Sequence, residues 1–150
     1  MTRRALIACA AGGSAALLLG AFAFQHLGGL APCKMCIWQR YPHAVAMAIG
    51  LLALWSPRAA WLGAGAALIT AAIGVFHAGV EQAWWEGPTT CTSGPVGGLS
   101  TDDLLSQIMN APLVRCDDIA WQLMGISMAG WNALISLGLV AVWVMAARRA

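Results

Sequence analysis

Four of the five cysteines are placed for thiol chemistry. Cys33 and Cys36 form a Cys-x-x-Cys motif, whose two sulfurs can reach bonding distance, while Cys91 and Cys116 come later in the chain. The motif opens an apolar stretch that we expect to be helical. A helix amino terminus favours the thiolate, which is the attacking species in thiol–disulfide exchange. The spacing therefore predicts a redox-active pair at Cys33 and Cys36.

The second pair, Cys91 and Cys116, has three possible interpretations. It could be a static structural disulfide, or a second redox pair that meets a soluble partner and relays electrons to Cys33 and Cys36; the spacing favours neither. Four cysteines could also bind zinc. The long gap between Cys91 and Cys116 differs from the paired Cys-x-x-Cys knuckles of zinc sites, so we predict no metal site.

Arg40 lies four residues after Cys36, one turn deeper on the same helical face. A charged side chain is costly in an apolar helix unless it has a partner or a use. Arg40 could stabilise the Cys36 thiolate or negative charge on a reduced electron acceptor. The alternative is an arginine whose long side chain simply reaches the membrane interface.

His77 and Glu81 are four residues apart at the end of another apolar stretch, and Gln82 follows directly. The spacing places the imidazole and the carboxylate on one face of a helix. Such a pair could move protons for a quinone, which takes up two protons with its two electrons. A satisfied polar pair at the membrane interface explains the spacing equally well.

The composition indicates a membrane protein. The 150 residues are 60% hydrophobic and only 9% charged, whereas about a quarter of the residues in a soluble domain are charged. Apolar runs close to the ~20 residues that cross a bilayer predict an all-α, four-helix transmembrane bundle. We expect residues 1–150 to form a single integral membrane domain with spans at about 5–24, 36–55, 60–80 and 128–147.

The charge distribution predicts the orientation. Placing both termini in the cytoplasm satisfies the positive-inside rule, because it puts these arginines inside: Arg3, Arg4, Arg58, Arg148 and Arg149. All acidic residues then fall in the external loops, at about 25–35 and 81–127. The four redox cysteines are also external, where disulfides persist. Within the second loop, Ser100 is a candidate N-cap for a short amphipathic helix with Leu104, Leu105, Ile108 and Met109 on one face. That helix would lie on the membrane surface or pack on the spanning helices.

The first apolar run has two further features. Arg3-Arg4, the apolar stretch and Ala21-Phe22-Ala23 also fit a signal peptide, but the run is longer than the usual core of about 7–15 residues. Cys9 lies near the cytoplasmic end of this run, about a bilayer thickness from Cys33. We expect it to be a buried free thiol.

These features together resemble the disulfide-bond formation protein B (DsbB) family over nearly the whole chain. The resemblance rests on four spans, with Cys33-Lys34-Met35-Cys36 opening the second and Arg40 four residues later. It also rests on His77 ending the third span and on the Cys91 and Cys116 pair in the second external loop. The family implies a membrane thiol oxidase of the bacterial inner membrane, with its active cysteines facing the periplasm.

The resemblance implies a route for electrons. A DsbA-like periplasmic oxidase with a thioredoxin fold attacks a Cys91–Cys116 disulfide, with Cys91 forming the mixed disulfide. Electrons then pass by thiol exchange to Cys33 and Cys36. Cys36, the nearer to Arg40, interacts with bound quinone, which is ubiquinone or menaquinone.

The resemblance also implies a quinone site. Arg40 polarises the quinone and His77 helps its protonation, while Glu81, Gln82 and Trp38 line or support the site. Glu81 stands where some members of the family have an amide.

Three other interpretations compete with this one. A protein of the vitamin K epoxide reductase type also has a helical bundle with Cys-x-x-Cys, but its motif usually lies late in the chain. A specialised thiol oxidase with a different dedicated partner fits the same residues. A non-enzymatic bundle with two structural disulfides leaves Arg40 unexplained. A monomer suffices for the mechanism, and the few positive charges, which flank the spans, do not predict nucleic-acid binding.

Overall fold

The computed structural model describes residues 1–92, 100–109 and 114–149, apart from the side chains of Leu104 and Gln107. Within these residues the order of the helices and strands is α1 (Arg3–His26), α2 (Lys34–Trp55), α3 (Ala59–Glu81), α4 (Thr101–Met109), β1 (Gln122–Leu123), β2 (Ile126–Ser127) and α5 (Met128–Ala147). The two short strands pair antiparallel. The fold is therefore mostly helical, as predicted, with one small hairpin that the sequence did not suggest.

The long helices pack side by side. Helix α1 contacts α2 and α5, and α3 contacts the same two helices from the other side. Small side chains predominate where they meet, which lets the helix backbones approach closely, as is usual between helices in membranes. The buried alanines include Ala10, Ala46, Ala53, Ala60, Ala67, Ala129, Ala133 and Ala146.

Trp143 of α5 is the largest fully buried side chain of the core. Its indole lies against Gly63 of α3, where an added Cβ would come within 2.7 Å of the ring atoms. Gly50 of α2 lies nearby, close to Ala11 and the tip of the same ring. These two glycines make room for one bulky residue among many small ones.

Three of the described helices are long and apolar enough to cross a membrane: α1, α3 and α5. Helix α2 has a similar length, 22 residues. It differs because its first half carries Gln39, Arg40 and His43, of which Gln39 and His43 are buried in the protein. Apolarity alone thus identifies three spans, and the polar residues of α2 face other helices.

Helix α4 begins after Ser100, as predicted. The Ser100 hydroxyl accepts a hydrogen bond from the backbone N–H of Asp103 at 3.2 Å and donates one to the Asp103 carboxylate at 2.6 Å. The side chains of Leu105, Ile108 and Met109 are exposed. The Leu104 side chain, also predicted for this face, lies outside the described residues.

The β1–β2 hairpin leads directly into α5. Its turn residues Met124 and Gly125 have φ angles of +53° and +76°, the left-handed conformation that two-residue hairpin turns require. Ser127, the last residue of the hairpin, accepts a hydrogen bond from the backbone N–H of Gly130 at 3.2 Å and so caps α5. A methionine in this conformation is unusual, which explains why no turn was predicted from the residues at 124 and 125.

The prediction that Cys9 is buried is wrong. Its side chain is exposed on the outer face of α1. The inward face of that helix carries Leu6, Ile7 and Ala10 instead, and this helical pattern leaves position 9 pointing away from the core.

We expect the substitution Gly63→Ala to destabilise the protein by about 1–3 kcal/mol, because the new methyl group overpacks the site against Trp143. Gly65→Ala in the same helix is the matched control, since nothing lies within 4 Å of a Cβ there. That change should be neutral or stabilising by up to ~1 kcal/mol, from helix propensity. Thermal unfolding in detergent measures both, and equal effects of the two variants would contradict the packing at Trp143.

Candidate functional site

Cys33 and Cys36 lie at the amino terminus of α2, as the motif predicts. Cys33 is the N-cap residue, and its Sγ accepts a hydrogen bond from the backbone N–H of Cys36 at 3.1 Å. The two Sγ atoms are 2.7 Å apart. Both are free thiols here, and the helix geometry holds them close enough to form a bond.

Cys91 and Cys116 form a disulfide with a Cα–Cα distance of 5.4 Å. The backbone N–H of Cys116 donates to the Cys91 carbonyl at 2.7 Å. Both residues are buried, with exposed fractions of 1% and 0%. They pack in one cluster with Cys33, Met35 and Val80, and Cys36 contacts its edge. The fold thus brings the two cysteine pairs together.

His77 of α3 lies between the two pairs. Its Nε2 is 3.5 Å from the Cys33 Sγ and 3.2 Å from the Cys116 carbonyl oxygen. The same nitrogen is 3.8 Å from a carboxylate oxygen of Glu81, one turn later as predicted. Glu81 in turn accepts a short hydrogen bond from the Ser127 hydroxyl. The imidazole therefore contacts both cysteine pairs and is 2% exposed.

A cavity of about 440 Å³ opens beside the Cys33–Cys36 pair. Most of its wall is apolar and comes from α1, α5 and the segment before α5. The polar groups gather at the cysteine end. The predicted site residues that line it are Cys33, Cys36, Arg40, His77 and Glu81.

Arg40 lines this cavity, but its guanidinium is held by α1. It donates to the Gln25 side-chain oxygen at 2.5 Å and to the Ala21 carbonyl at 3.4 Å. The group also stacks 5.1 Å from the centre of the Phe22 ring, a cation–π contact. Arg40 thus lies one turn below Cys36, as predicted. Its guanidinium, however, is bound by residues of α1, which the spacing did not suggest.

Trp38 and Gln82 do not line the cavity. Trp38 is 37% exposed on the outward side of α2. Gln82 is the C-cap residue of α3, and its side chain is exposed.

Three polar residues of the site were missed by the sequence analysis: Gln39 and His43, which are buried, and Asn132, which is half-buried. The Gln39 side chain is 2.9 Å from His77 Nδ1. Asn132 of α5 bonds to Gln39 at 2.7 Å and to His43 at 2.9 Å. A signal was available, because a polar residue inside an apolar span marks a contact with another polar group.

The thiol of Cys33 is held in its protonated form. It donates a hydrogen bond to the Cys36 sulfur, and this bond together with burial raises the pKa of Cys33 above its ordinary value. Cys36, which is also the more exposed of the two, is therefore the member of the pair that is ready to react.

Cys33, Cys36 and His77 also have potential metal-ligand atoms within 4.8 Å of one another. Tetrahedral zinc, with Zn–S bonds of about 2.3 Å, holds two sulfurs much farther apart than the 2.7 Å found here. The observed arrangement favours bond formation between the sulfurs over binding of an ion.

Comparisons with known proteins agree with this geometry. A family described as "Disulfide bond formation protein DsbB" matches residues 3–146. A "Disulfide bond formation protein B" of Azoarcus sp. (strain BH72) is 32% identical over 90% of this chain and 87% of its own length. The protein of that name from Verminephrobacter eiseniae is 32% identical over 99% and 90%, and that from Paracidovorax citrulli is 34% identical over 87% and 78%. No solved structure gives a significant match.

In the state described here, with free Cys33 and Cys36, we expect an alkylating agent at neutral pH to modify Cys36 well before Cys33. The Cys33 proton is retained in the bond to Cys36, and only a thiolate reacts. Peptide mass spectrometry after brief labelling measures the order in which the two cysteines react. Equal labelling of Cys33 and Cys36 would contradict the described hydrogen bond.

Proposed function

The chain belongs to the DsbB family of disulfide bond formation proteins, and from that premise we propose how it works. It is a membrane protein-disulfide oxidoreductase that reoxidises a DsbA-like periplasmic dithiol oxidase with a thioredoxin fold. It passes the electrons through its two cysteine pairs to a quinone, ubiquinone or menaquinone. One observation carries this proposal: both cysteine pairs and His77 meet in one buried cluster at the end of an apolar cavity.

We propose that α1, α2, α3 and α5 all cross the bacterial inner membrane, with both termini in the cytoplasm. Arg3 donates to the Ala53 carbonyl near the end of α2, and Arg149 donates to the Met1 carbonyl. The arginine-bearing termini and the α2–α3 turn therefore share one end of the bundle, which supports the positive-inside assignment. The cysteines lie at the opposite, periplasmic end. The exposed apolar side chains of α4 suit a helix on the outer membrane surface.

The partner enters at the Cys91–Cys116 disulfide. A thiolate of the partner attacks the Cys91 sulfur, a new disulfide forms between the proteins, and the electron pair of the broken bond leaves on Cys116. The partner's second thiolate then breaks the mixed disulfide, which oxidises the partner and leaves a thiolate on Cys91. Because Cys91 is buried, its sulfur must first become exposed before the partner thiolate can approach.

Exchange then takes place inside the cluster. The Cys116 thiolate attacks the Cys33 sulfur of a Cys33–Cys36 disulfide, and the electron pair leaves on Cys36, which lines the cavity. Cys91 next attacks Cys116, so that their disulfide re-forms and the pair of the broken bond leaves on Cys33. The products are a Cys91–Cys116 disulfide and two reduced cysteines, the same covalent state that the structure has.

The cavity fits a quinone. Its volume of about 440 Å³ is in the range of small-molecule sites, and its apolar walls with a few convergent polar groups are typical of them. A bound quinone supplies an acceptor of two electrons and two protons. Cys36 provides the nearest sulfur, Arg40 provides positive charge, and His77 and Glu81 provide groups that hold protons at the cysteine end. Trp38 and Gln82, which we expected at the site, lie outside the cavity and at most support its walls.

The direct test is quinone reduction by the purified protein in detergent, with a reduced DsbA-like dithiol protein as donor. Cys33→Ser, Cys36→Ser and Cys91→Ser should each lower turnover at least about a hundredfold, because each removes a sulfur that a balanced exchange step needs. Cys9→Ser is the matched control and should keep wild-type turnover, since this cysteine is far along α1 from the cluster.

Two results would count against the proposal. Absence of turnover with every quinone and dithiol donor, despite an intact Cys91–Cys116 disulfide, would leave a bundle with structural disulfides. Full turnover in Cys91→Ser would show that this pair is not in the electron path.

The orientation has its own test. A membrane-impermeant maleimide should label Glu86→Cys in intact spheroplasts and Ser56→Cys only in inverted vesicles, because the two exposed positions lie at opposite ends of the bundle. Peptide mass spectrometry identifies the labelled site. The reverse pattern would overturn the proposed orientation.

A further inference from the structure

A continuous chain of hydrogen bonds runs from His43 to His77 through two side-chain amides. The His43 Nε2 is 2.9 Å from Asn132 Oδ1, and Asn132 Nδ2 donates to Gln39 Oε1 at 2.7 Å. The Gln39 Nε2 is 2.9 Å from His77 Nδ1. These hydrogen bonds lead from α2 to α5, back to α2 and on to α3. Three of the four residues are buried: Gln39, His43 and His77.

The orientation of both amides is fixed by further contacts. The Gln39 Nε2 also donates to the Met35 carbonyl at 3.3 Å, which only an NH₂ group can do. The Thr70 hydroxyl donates to the Gln39 backbone carbonyl at 3.0 Å, so its oxygen accepts from Asn132 Nδ2 at 3.2 Å. The Ser136 hydroxyl donates to Asn132 Oδ1 at 3.4 Å. Every donor meets an acceptor only when both amides have this orientation.

The amide orientation determines where the His77 proton lies. Because the Gln39 NH₂ group can only donate, His77 Nδ1 must accept, and a neutral imidazole then carries its hydrogen on Nε2. That nitrogen faces the Cys33 sulfur at 3.5 Å, the Cys116 carbonyl at 3.2 Å and the Glu81 carboxylate at 3.8 Å. The one N–H of the ring therefore points into the cysteine cluster.

We infer that Gln39 and Asn132 are positioning residues that lock His77 as the Nε2–H tautomer, so that His77 donates a hydrogen bond to Cys33 when that sulfur leaves as a thiolate. The role in exchange rests on the proposed function. His77 acts in the second exchange step: Cys91 attacks Cys116, the Cys116–Cys33 bond breaks and the electron pair goes to the Cys33 sulfur. The opposite tautomer would present a lone pair to the new anion and oppose the step.

The His77 Nε2–H group would help Cys33 to leave as a thiolate. Cys33 is buried and its thiol is stabilised in the protonated form by Cys36, and a thiol with a raised pKa is a slow leaving group in exchange. The hydrogen bond from His77 Nε2–H to the Cys33 sulfur forms only once negative charge develops on that sulfur. A donor that acts on charge developing in the transition state accelerates the reaction. His77 then acts on the leaving sulfur and does not have to be the base.

The tautomer can be read directly by ¹⁵N NMR of histidine-labelled protein in detergent, since the chain has only three histidines. The His77 signals are assigned by their loss in His77→Gln. In the wild type we expect a protonated Nε2 and a bare Nδ1. Gln39→Leu should give a mixture of tautomers. Gln39→Glu should invert the ring, because a carboxylate accepts from Nδ1–H. Cys9→Ser is the control; this residue lies exposed on α1, away from the hydrogen-bonded amides, and its replacement should leave the His77 signals unchanged.

Exchange kinetics supply the second measurement. With a reduced thioredoxin-fold dithiol donor and no quinone present, Gln39→Glu should slow reduction of the Cys33–Cys36 pair about ten- to a hundredfold, the equivalent of one hydrogen bond to a charged group. The KM for the donor should be unchanged, since the donor docks elsewhere. If Gln39→Leu does not fold, Asn132→Leu provides the same test with Gln39 present but unanchored.

The inference is overturned if wild-type His77 carries its proton on Nδ1, or if the tautomer is the same in Gln39→Leu and Gln39→Glu as in the wild type. An inverted tautomer with an unchanged exchange rate would overturn the role at Cys33. Failure of quinone turnover alone would affect the proposed function and not the tautomer, so the two outcomes are distinguishable.

Discussion

The His77 imidazole is buried away from water, where both ring nitrogens need hydrogen-bond partners within the protein. Gln39 of α2 supplies one, and the Cys116 carbonyl supplies the other. These partners come from parts of the chain far from α3 in sequence. Satisfying this one ring therefore fixes the rotation of α2 against α3 and holds the Cys91–Cys116 disulfide over the amino terminus of α2.

The hydrogen bonds that hold Gln39 in place follow from the same need to satisfy the buried imidazole. Asn132 anchors Gln39 from α5, and Thr70 donates from α3 to the Gln39 carbonyl. Pro42 inside α2 removes the backbone hydrogen bond to the Trp38 carbonyl, which directly precedes the carbonyl that Thr70 bonds. These hydrogen-bonded residues thus support the site and account for the polar residues in the first half of α2.

The other half of the bundle is held by packing of a different kind. Around Trp143 the core consists mainly of alanines with Leu6, Ile7 and Leu139, and Gly63 lies directly against the indole. Helices in lipid gain little from the hydrophobic effect between them, so close van der Waals contact of this type is what stabilises their association. The end of the bundle that holds the cysteine pairs is stabilised by specific hydrogen bonds, whereas the opposite end is stabilised by close packing of side chains.

Much of this arrangement could be predicted from the sequence where the reasoning stayed within one helix. The Cys33–Cys36 motif at a helix start and the shared face of His77 and Glu81 are local features, and the structure has both. Contacts between helices could not be predicted, because periodicity gives the faces of each helix but not how two helices are rotated together. For this reason the Gln39–Asn132 contact was missed.

The same limit explains two other differences. The spacing placed Arg40 below Cys36, but Gln25 and Phe22 of α1 hold its guanidinium. Cys9 was expected inside, although the inward face of α1 runs through Leu6, Ile7 and Ala10. In each case the side chain's surroundings depend on a neighbouring helix whose position a single sequence does not specify.

The burial of the Cys91–Cys116 disulfide has a consequence for selectivity. A small thiol that diffuses to the surface gains almost nothing by docking, so it reacts only in the rare moments when the segment opens by itself. A protein partner brings binding energy that can drive the opening, so the correct partner assembles its own reaction site. Under the proposed function, the burial of this disulfide keeps electrons from small reductants away from the quinone and reserves the acceptor for the protein partner.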